Sequence, residues 1–335
     1  MTKFLIKRLA SLVLVVIGIT LIVFIATHCL PADPARAAAG PSATAEQVEE
    51  KRKELGLDRP IYEQYVDYVK GLLSFDMGTS YQSKQPVATE ISSRLAATME
   101  LTVLSLIIFF LTALILGSVA ALKRNRIIDH IIRLFSVGSM AVPPYWLALI
   151  LQYFLYYKWQ VFPAGYRLPP GVPAPDHITG FYLIDSAVQG EWGTFVVAAQ
   201  HLFLPVLSLV LGYCGITTRM MRTQLLQELR QDYIRTARSK GLPEHTVVGR
   251  HAMKNAISPV LTMVGMQAGG MIGGTVLIEK IFSWPGLGSY ALEAILSMDL
   301  LVIAGITMTM AIIFVLINLI VDISYVVIDA RVRLS

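Results

Sequence analysis

Long uncharged apolar runs alternate along this chain with shorter charged segments. A helix needs roughly 20 apolar residues to cross about 30 Å of hydrocarbon. Six runs qualify, at residues 9–27, 101–122, 134–157, 196–218, 256–278 and 300–321. None contains Asp, Glu, Lys or Arg; Asp322 lies just beyond the last. A charge at the bilayer centre costs about 2.5–3.5 kcal/mol even on insertion scales, so its absence from all six runs is one consistent signal. The pattern predicts an all-α integral membrane protein with six transmembrane helices.

Residues 31–98 are too polar for the membrane and too patterned for a loose linker. Thr44 and Gln47 form a T-x-x-Q capping box before a charged helix that ends near Gly56. Asp58 and Pro60 start a second helix. On it Ile61, Tyr65, Tyr68, Val69 and Leu72 fall on one face. A small external helical cap is expected, its aromatic stripe packing against the protein's own apolar surface. The connection 158–195 is rich in Pro and Gly (RLPPGVPAP) and reads as turns without a long helix. It is either functional or an insertion of no consequence.

Lys and Arg near the run ends set the orientation. Lys3, Lys7 and Arg8 precede the first run, and Lys123, Arg124, Arg126 and Arg133 lie between the second and third. Arg219, Arg222, Arg230, Arg235, Arg238, Lys240, Arg250 and Lys254 lie between the fourth and fifth, and Arg331 and Arg333 follow the sixth. Both termini are therefore expected in the cytoplasm. The first run could instead be a cleaved signal peptide, but it exceeds the usual apolar core of about 7–15 residues. The expected division is 1–30 as an N-terminal transmembrane helix, 31–98 as the cap, 99–328 as the main transmembrane domain and 329–335 as a cytoplasmic tail.

Composition sharpens this picture. Of 335 residues, 55% are hydrophobic and only 15% charged, with a mean hydropathy of +0.60; soluble domains average about 25% charged. The net charge of +5 sits at the run ends, which argues against nucleic acid as partner and for the lipid bilayer. Cys29 and Cys214 lie at or inside apolar runs and read as buried thiols rather than a disulfide.

The segment 232–260, DYIRTARSKGLPEHTVVGRHAMKNAISPV, is a basic amphipathic loop between two apolar runs. Asp232 reads as the N-cap of a helix from Tyr233 to Lys240, ended by Gly241. Pro243 opens a second short helix through His251. Tyr233, Ile234 and Ala237 share one side; Arg235, Arg238 and Lys240 lie elsewhere. Such a helix could seat in a groove of a soluble partner or lie on anionic lipid.

No catalytic constellation is present. The chain lacks G-x-x-x-x-G-K-[ST], H-E-x-x-H and cysteine pairs at zinc spacing, and nothing marks a nucleophile with an orienting base. No catalytic residue, metal site or bound cofactor is expected. His201, near the start of the fourth run, is the one histidine at membrane depth, either functional or bonded to a neighbouring element.

The loop resembles the cytoplasmic EAA loop of binding-protein-dependent ABC importer permeases. It is most similar to the peptide branch, where sequences read Y-I-R-T-A-R-x-K-G-L and then H-x-x-x-N-A. Here these are Tyr233, Ile234, Arg235, Thr236, Ala237, Arg238, Lys240, Gly241 and Leu242, then His251, Asn255 and Ala256. In the general E-A-A-x3-G pattern, Arg235 and Thr236 replace the Glu and first Ala, while Ala237 and Gly241 match. Lys7-Arg8-Leu9, Leu55 to Pro60, Asp76-Met77-Gly78, Glu279 to Gly288 and Asn318 to Asp322 resemble further segments of that branch. The resemblance implies a second homologous permease, two cytoplasmic ATPase subunits that carry the ATP and Mg, and an external substrate-binding protein. It implies that Asp232–Leu242, within the loop 219–256, couples to the ATPases. Cargo in this branch is dipeptide or oligopeptide, with nickel and glutathione carriers among its relatives. A self-contained channel or secondary transporter is the reading from another class, and uncharged spans count against it.

In the fifth run Gly265, Gly269 and Gly273 recur every four residues, with Gly270 and Gly274 in a parallel row. This face, almost bare of side chains, predicts close helix packing, either at a junction between permeases or within one chain.

Overall fold

A computed structural model describes residues 13–25, 34–40, 43–54, 56–74 and 76–328. Lys3, Lys7, Arg8, Cys29, Arg331, Arg333, the 329–335 tail and parts of the 1–30 segment lie outside the described residues. The described regular structure is entirely helical, apart from one isolated antiparallel bridge between Thr79 and Pro86. Contacts divide the chain into two units, residues 1–97 with 285–315 and residues 98–284 with 316–335.

The first unit holds α1 (Val13–Ile25), α2 (Pro34–Ala39), α3 (Ala45–Glu54), α4 (Ile61–Leu73) and the start of α5 (Val87–Leu122). The Thr44–Gln47 capping box forms: Thr44 N–H donates to Gln47 Oε1 at 2.9 Å, and Gln47 N–H to Thr44 Oγ1 at 3.3 Å. Gly56 takes φ +65° after α3. The start of α4 differs from expectation, because Asp58 lies outside it and no side chain caps it. Pro60 is the cap residue, its carbonyl accepting from Glu63 and Gln64 N–H; proline forces the residue before it out of helical geometry. The aromatic stripe packs on α1, with the Tyr65 and Tyr68 rings 5.3 and 5.8 Å from Phe24. The Tyr65 and Thr20 hydroxyls share a 2.9 Å hydrogen bond. Ile61 remains exposed.

The second unit continues α5 and adds α6 (Ile127–Ala141), α7 (Pro144–Leu151), α8 (Tyr182–Gln189) and α9 (Trp192–Glu228). Then follow α10 (Asp232–Ser239), α11 (Glu244–Thr246) and α12 (Met253–Ile281). α13 (Leu287–Leu296) and the first part of α14 (Leu300–Ile328) return to the first unit. Wide π turns run over Gln152–Lys158 and Val247–Ala252.

Among the described residues four helices are long and apolar enough to cross a membrane: Val87–Leu122, Trp192–Glu228, Glu244–Ile281 and Leu300–Val321. A fifth crossing would join α6 to α7, which bend by 105°. The single helix expected over 134–157 is therefore broken. Its sequence holds Val-Pro-Pro: Pro143 and Pro144 lack N–H groups, and each pushes its predecessor out of helical geometry. Val142 accordingly takes φ −113°, ψ 123° and Pro143 φ −63°, ψ 143°.

Candidate functional site

The sequence points to α10, and its seat can be built residue by residue. The helix begins one residue earlier than expected. Gln231 is extended, and its carbonyl accepts from Ile234 and Arg235 N–H at 3.1 and 3.2 Å. Asp232 is thus the first helical residue rather than the cap, where its carboxylate still suits the positive end of the helix dipole. Ile234 and Ala237 are buried. They join Met221 and Leu225 of α9, Ala121 of α5, and Val247, Ala252, Ala256 and Val260 in one apolar cluster.

The opposite face is open. Arg235, Thr236, Arg238, Lys240 and Leu242 are exposed. Tyr233 is exposed at the edge, its hydroxyl donating to Glu228 and accepting from Asn255 Nδ2 at 2.9 Å. Gly241 has φ +76°, and nothing lies within 4 Å of where its Cβ would be. It is needed for the left-handed turn, not for space. Its N–H reaches Arg238 O at 2.9 Å, and Leu242 N–H reaches Ala237 O at 3.4 Å. Across this turn Arg238 holds Glu244 at 2.6 Å.

The second short helix expected from Pro243 to His251 does not end there. From Glu244 the chain stays helical through the π turn of Val247–Ala252 into α12. No helix-ending residue separates them; Gly249 is absorbed inside the wide turn.

The glycine face of α12 meets more than one neighbour. A Cβ at Gly265 would touch Val321 and Asn318, at 3.2 and 3.4 Å. Gly270 and Gly274 receive the Tyr213 ring of α9, whose hydroxyl donates to Gly270 O at 2.6 Å. Gly273 faces open space. Gly269 shares this helix and is partly buried.

Sequence reasoning missed a set of buried charges in the same unit. Arg167, in the 158–195 connection, donates to Glu100 Oε2 at 2.6 Å and to Gly180 O at 2.7 Å. Its guanidinium lies 3.4 Å over the Tyr182 ring. Leu183 N–H donates to Glu100 Oε1 at 2.9 Å. Asp185 is buried, which by itself would raise its pKa. Hydrogen bonds from Thr179 Oγ1 and from Thr179, Gly180 and Ile178 N–H more than offset this and hold it below its ordinary value. His201 Nδ1 donates to Gly165 O at 2.6 Å, so this histidine pins the connection. Glu279 accepts from Thr98 Oγ1 at 2.6 Å. The sequence marks His201, expected to be functional or bonded to a neighbouring element, and Glu279 within the resemblance; for Arg167 the hint is an arginine inside a Pro- and Gly-rich stretch.

Among the described residues no three His, Cys, Asp or Glu side chains group to hold a metal ion, and Cys214 is a buried free thiol. What remains is an amphipathic surface helix on the ends of long apolar helices, its apolar face buried and its basic face open.

The sequence matches two family descriptions. Residues 113–334 match "Binding-protein-dependent transport system inner membrane component", and residues 1–102 match the N-terminal component of such systems. A probable D,D-dipeptide transport system permease protein of Escherichia coli (strain K12) is 39% identical over 97% of this chain and 96% of its own length. The dipeptide transport system permease protein of the same strain is 37% identical over 99% of both chains. A glutathione transport system permease protein of Escherichia coli O6:H1 is 35% identical over 99% of both. With its apolar helices and the exposed α10 on their ends, this chain belongs to the family of binding-protein-dependent transport system inner membrane components.

Proposed function

We propose that this chain is one of two homologous permease subunits of an ATP-driven importer, forming half of a path for di- or oligopeptides across the bacterial plasma membrane. Six spans with both termini cytoplasmic, and an outer cap over 31–98, complete this reading. Two cytoplasmic ATPase subunits supply ATP and Mg chemistry, and an external binding protein delivers cargo. α10 and the Gly241 turn form the ATPase-coupling element.

The observation that carries the reading is the two-faced seat of α10. Its inner face, Ile234 and Ala237, is sunk among helix ends. Its outer face is basic and open to a soluble partner. The dipeptide names of the more similar relatives support the cargo class.

The test is a tagged pull-down of the detergent-solubilised complex, comparing wild type with Arg235→Glu/Thr236→Arg. Both positions are exposed, so folding should be unaffected. Loss of Walker-containing subunits from the variant, with a second permease retained, is the expected result. Equal ATPase recovery in both, or wild-type flux without ATP, would refute the reading. Dipeptide uptake with glutathione as competitor then separates the cargo alternatives.

A further inference from the structure

The Asp129 carboxylate is completely buried, at 0% exposure, close to the cytoplasmic start of α6. Arg222 of α9 grips it through Nε at 2.7 Å and Nη2 at 2.8 Å. Asn125 N–H adds a bond at 2.9 Å from the turn before α6, and Arg133 approaches at 3.5 Å. Such a pair fixes relative position more strongly than it stabilises, because the carboxylate is fully desolvated, the guanidinium partly so, and the fork is directional.

The same two helices are locked further along. A Cβ on Gly215 of α9 would overlap the Ser136 carbonyl oxygen of α6. Gly215 N–H donates to Ser139 Oγ at 3.2 Å, and Ser139 Oγ donates to Leu211 O. Near the bend, a Cβ on Gly212 would sit 2.6 Å from the Pro144 ring. The contact thus runs from Asp129 to the break at Val142–Pro143. Arg222 lies between Met221 and Leu225, which carry the seat of α10. The seat of α10 and the Asp129 contact therefore share one turn of α9.

We propose that Asp129 and Arg222 are positioning residues that bind α6 and α9 into one strut, carrying movement of α10 to the bend between α6 and α7. The proposal rests on the reading of α10 as the ATPase-docking element. Without the pair, α9 would move while α6 lagged, and ATP hydrolysis would no longer drive the bend.

The experiment uses the whole importer in proteoliposomes, with Asp129→Asn and the milder Arg222→Lys, which keeps the charge but loses the fork. Peptide moved per ATP hydrolysed is measured with ATPase recovery. Backbone hydrogen exchange is followed at 232–242 and at 142–147 with and without a non-hydrolysable ATP analogue. The strut predicts retained ATPase subunits and hydrolysis, with transport per ATP falling by about 2- to 30-fold in Asp129→Asn and less in Arg222→Lys. It also predicts that the nucleotide response at 142–147 is lost while that at 232–242 persists. Responses at both segments in Asp129→Asn, or transport and hydrolysis falling in proportion, would overturn the strut alone. No response at 232–242 in wild type would overturn the docking assignment and the strut with it.

Discussion

The seat of α10 and the anchoring of the 158–195 connection belong to the same unit yet use opposite chemistry. α10 rests on methyl and methylene groups: Ile234 and Ala237 against Met221, Leu225, Val247 and Val260. The connection is held by directional contacts: Arg167 on Glu100, Asp185 on three successive backbone N–H groups, His201 on Gly165. Apolar contact changes gradually as surfaces slide, whereas a buried ion pair or a carboxylate bonded to several donors holds only near one geometry. The seat of α10 therefore tolerates small shifts that the anchoring of the connection does not.

The largest effect is expected where the fixed anchoring is cut. Arg167→Met leaves Glu100 buried without its cation and should cost about 3–5 kcal/mol. Thermal unfolding of the purified complex would register this; an unchanged midpoint would mean that the pair does not hold the connection. Next comes the apolar seat. Ile234→Ala removes a fully buried side chain, a change of about 2–5 kcal/mol in a core that cannot collapse. Its signature should be weighted to the loop, with hydrogen exchange across 232–242 quickening more than the fall in the global midpoint alone would produce. A fall in the global midpoint without local loosening would erase the distinction between the two regions.

The third and smallest effect depends on pH. The folded pKa of Asp185 is lowered, so its stabilisation is present above the unfolded pKa of about 4 and is lost as pH falls through the folded value. Asp185→Asn should cost about 1–3 kcal/mol at neutral pH. The gap between wild type and variant should close below about pH 4. A gap independent of pH would show that shape, not charge, seats this turn.

The two regions also differed in how well they could be read from sequence. The apolar face of α10, the left-handed turn at Gly241 and the Thr44–Gln47 box depend on residues within a few positions of one another, so their spacing reveals them. Arg167 and Glu100 are 67 residues apart, and Asp129 and Arg222 are 93 apart. No periodicity joins such pairs, and single charges beside apolar runs look like ordinary flanking residues. The bend at Val142–Pro143 was legible in principle, since Val-Pro-Pro restricts the backbone whatever surrounds it. Apolar composition across 134–157 outweighed that local signal. The π turn at Val247–Ala252 left no comparable mark, and the helix expected to end at His251 runs on into α12.

The bend has a consequence for hydration. The last carbonyls of α6 have no following turn to donate to them, and Pro143 and Pro144 offer no N–H. Left facing lipid tails, such groups would cost several kcal/mol each. A broken helix near the middle of an apolar run is tolerable only where protein or water meets the bare carbonyls. If α6 and α7 cross the bilayer as a pair, their junction marks a depth at which the membrane interior must be wetted or sealed by a neighbouring helix.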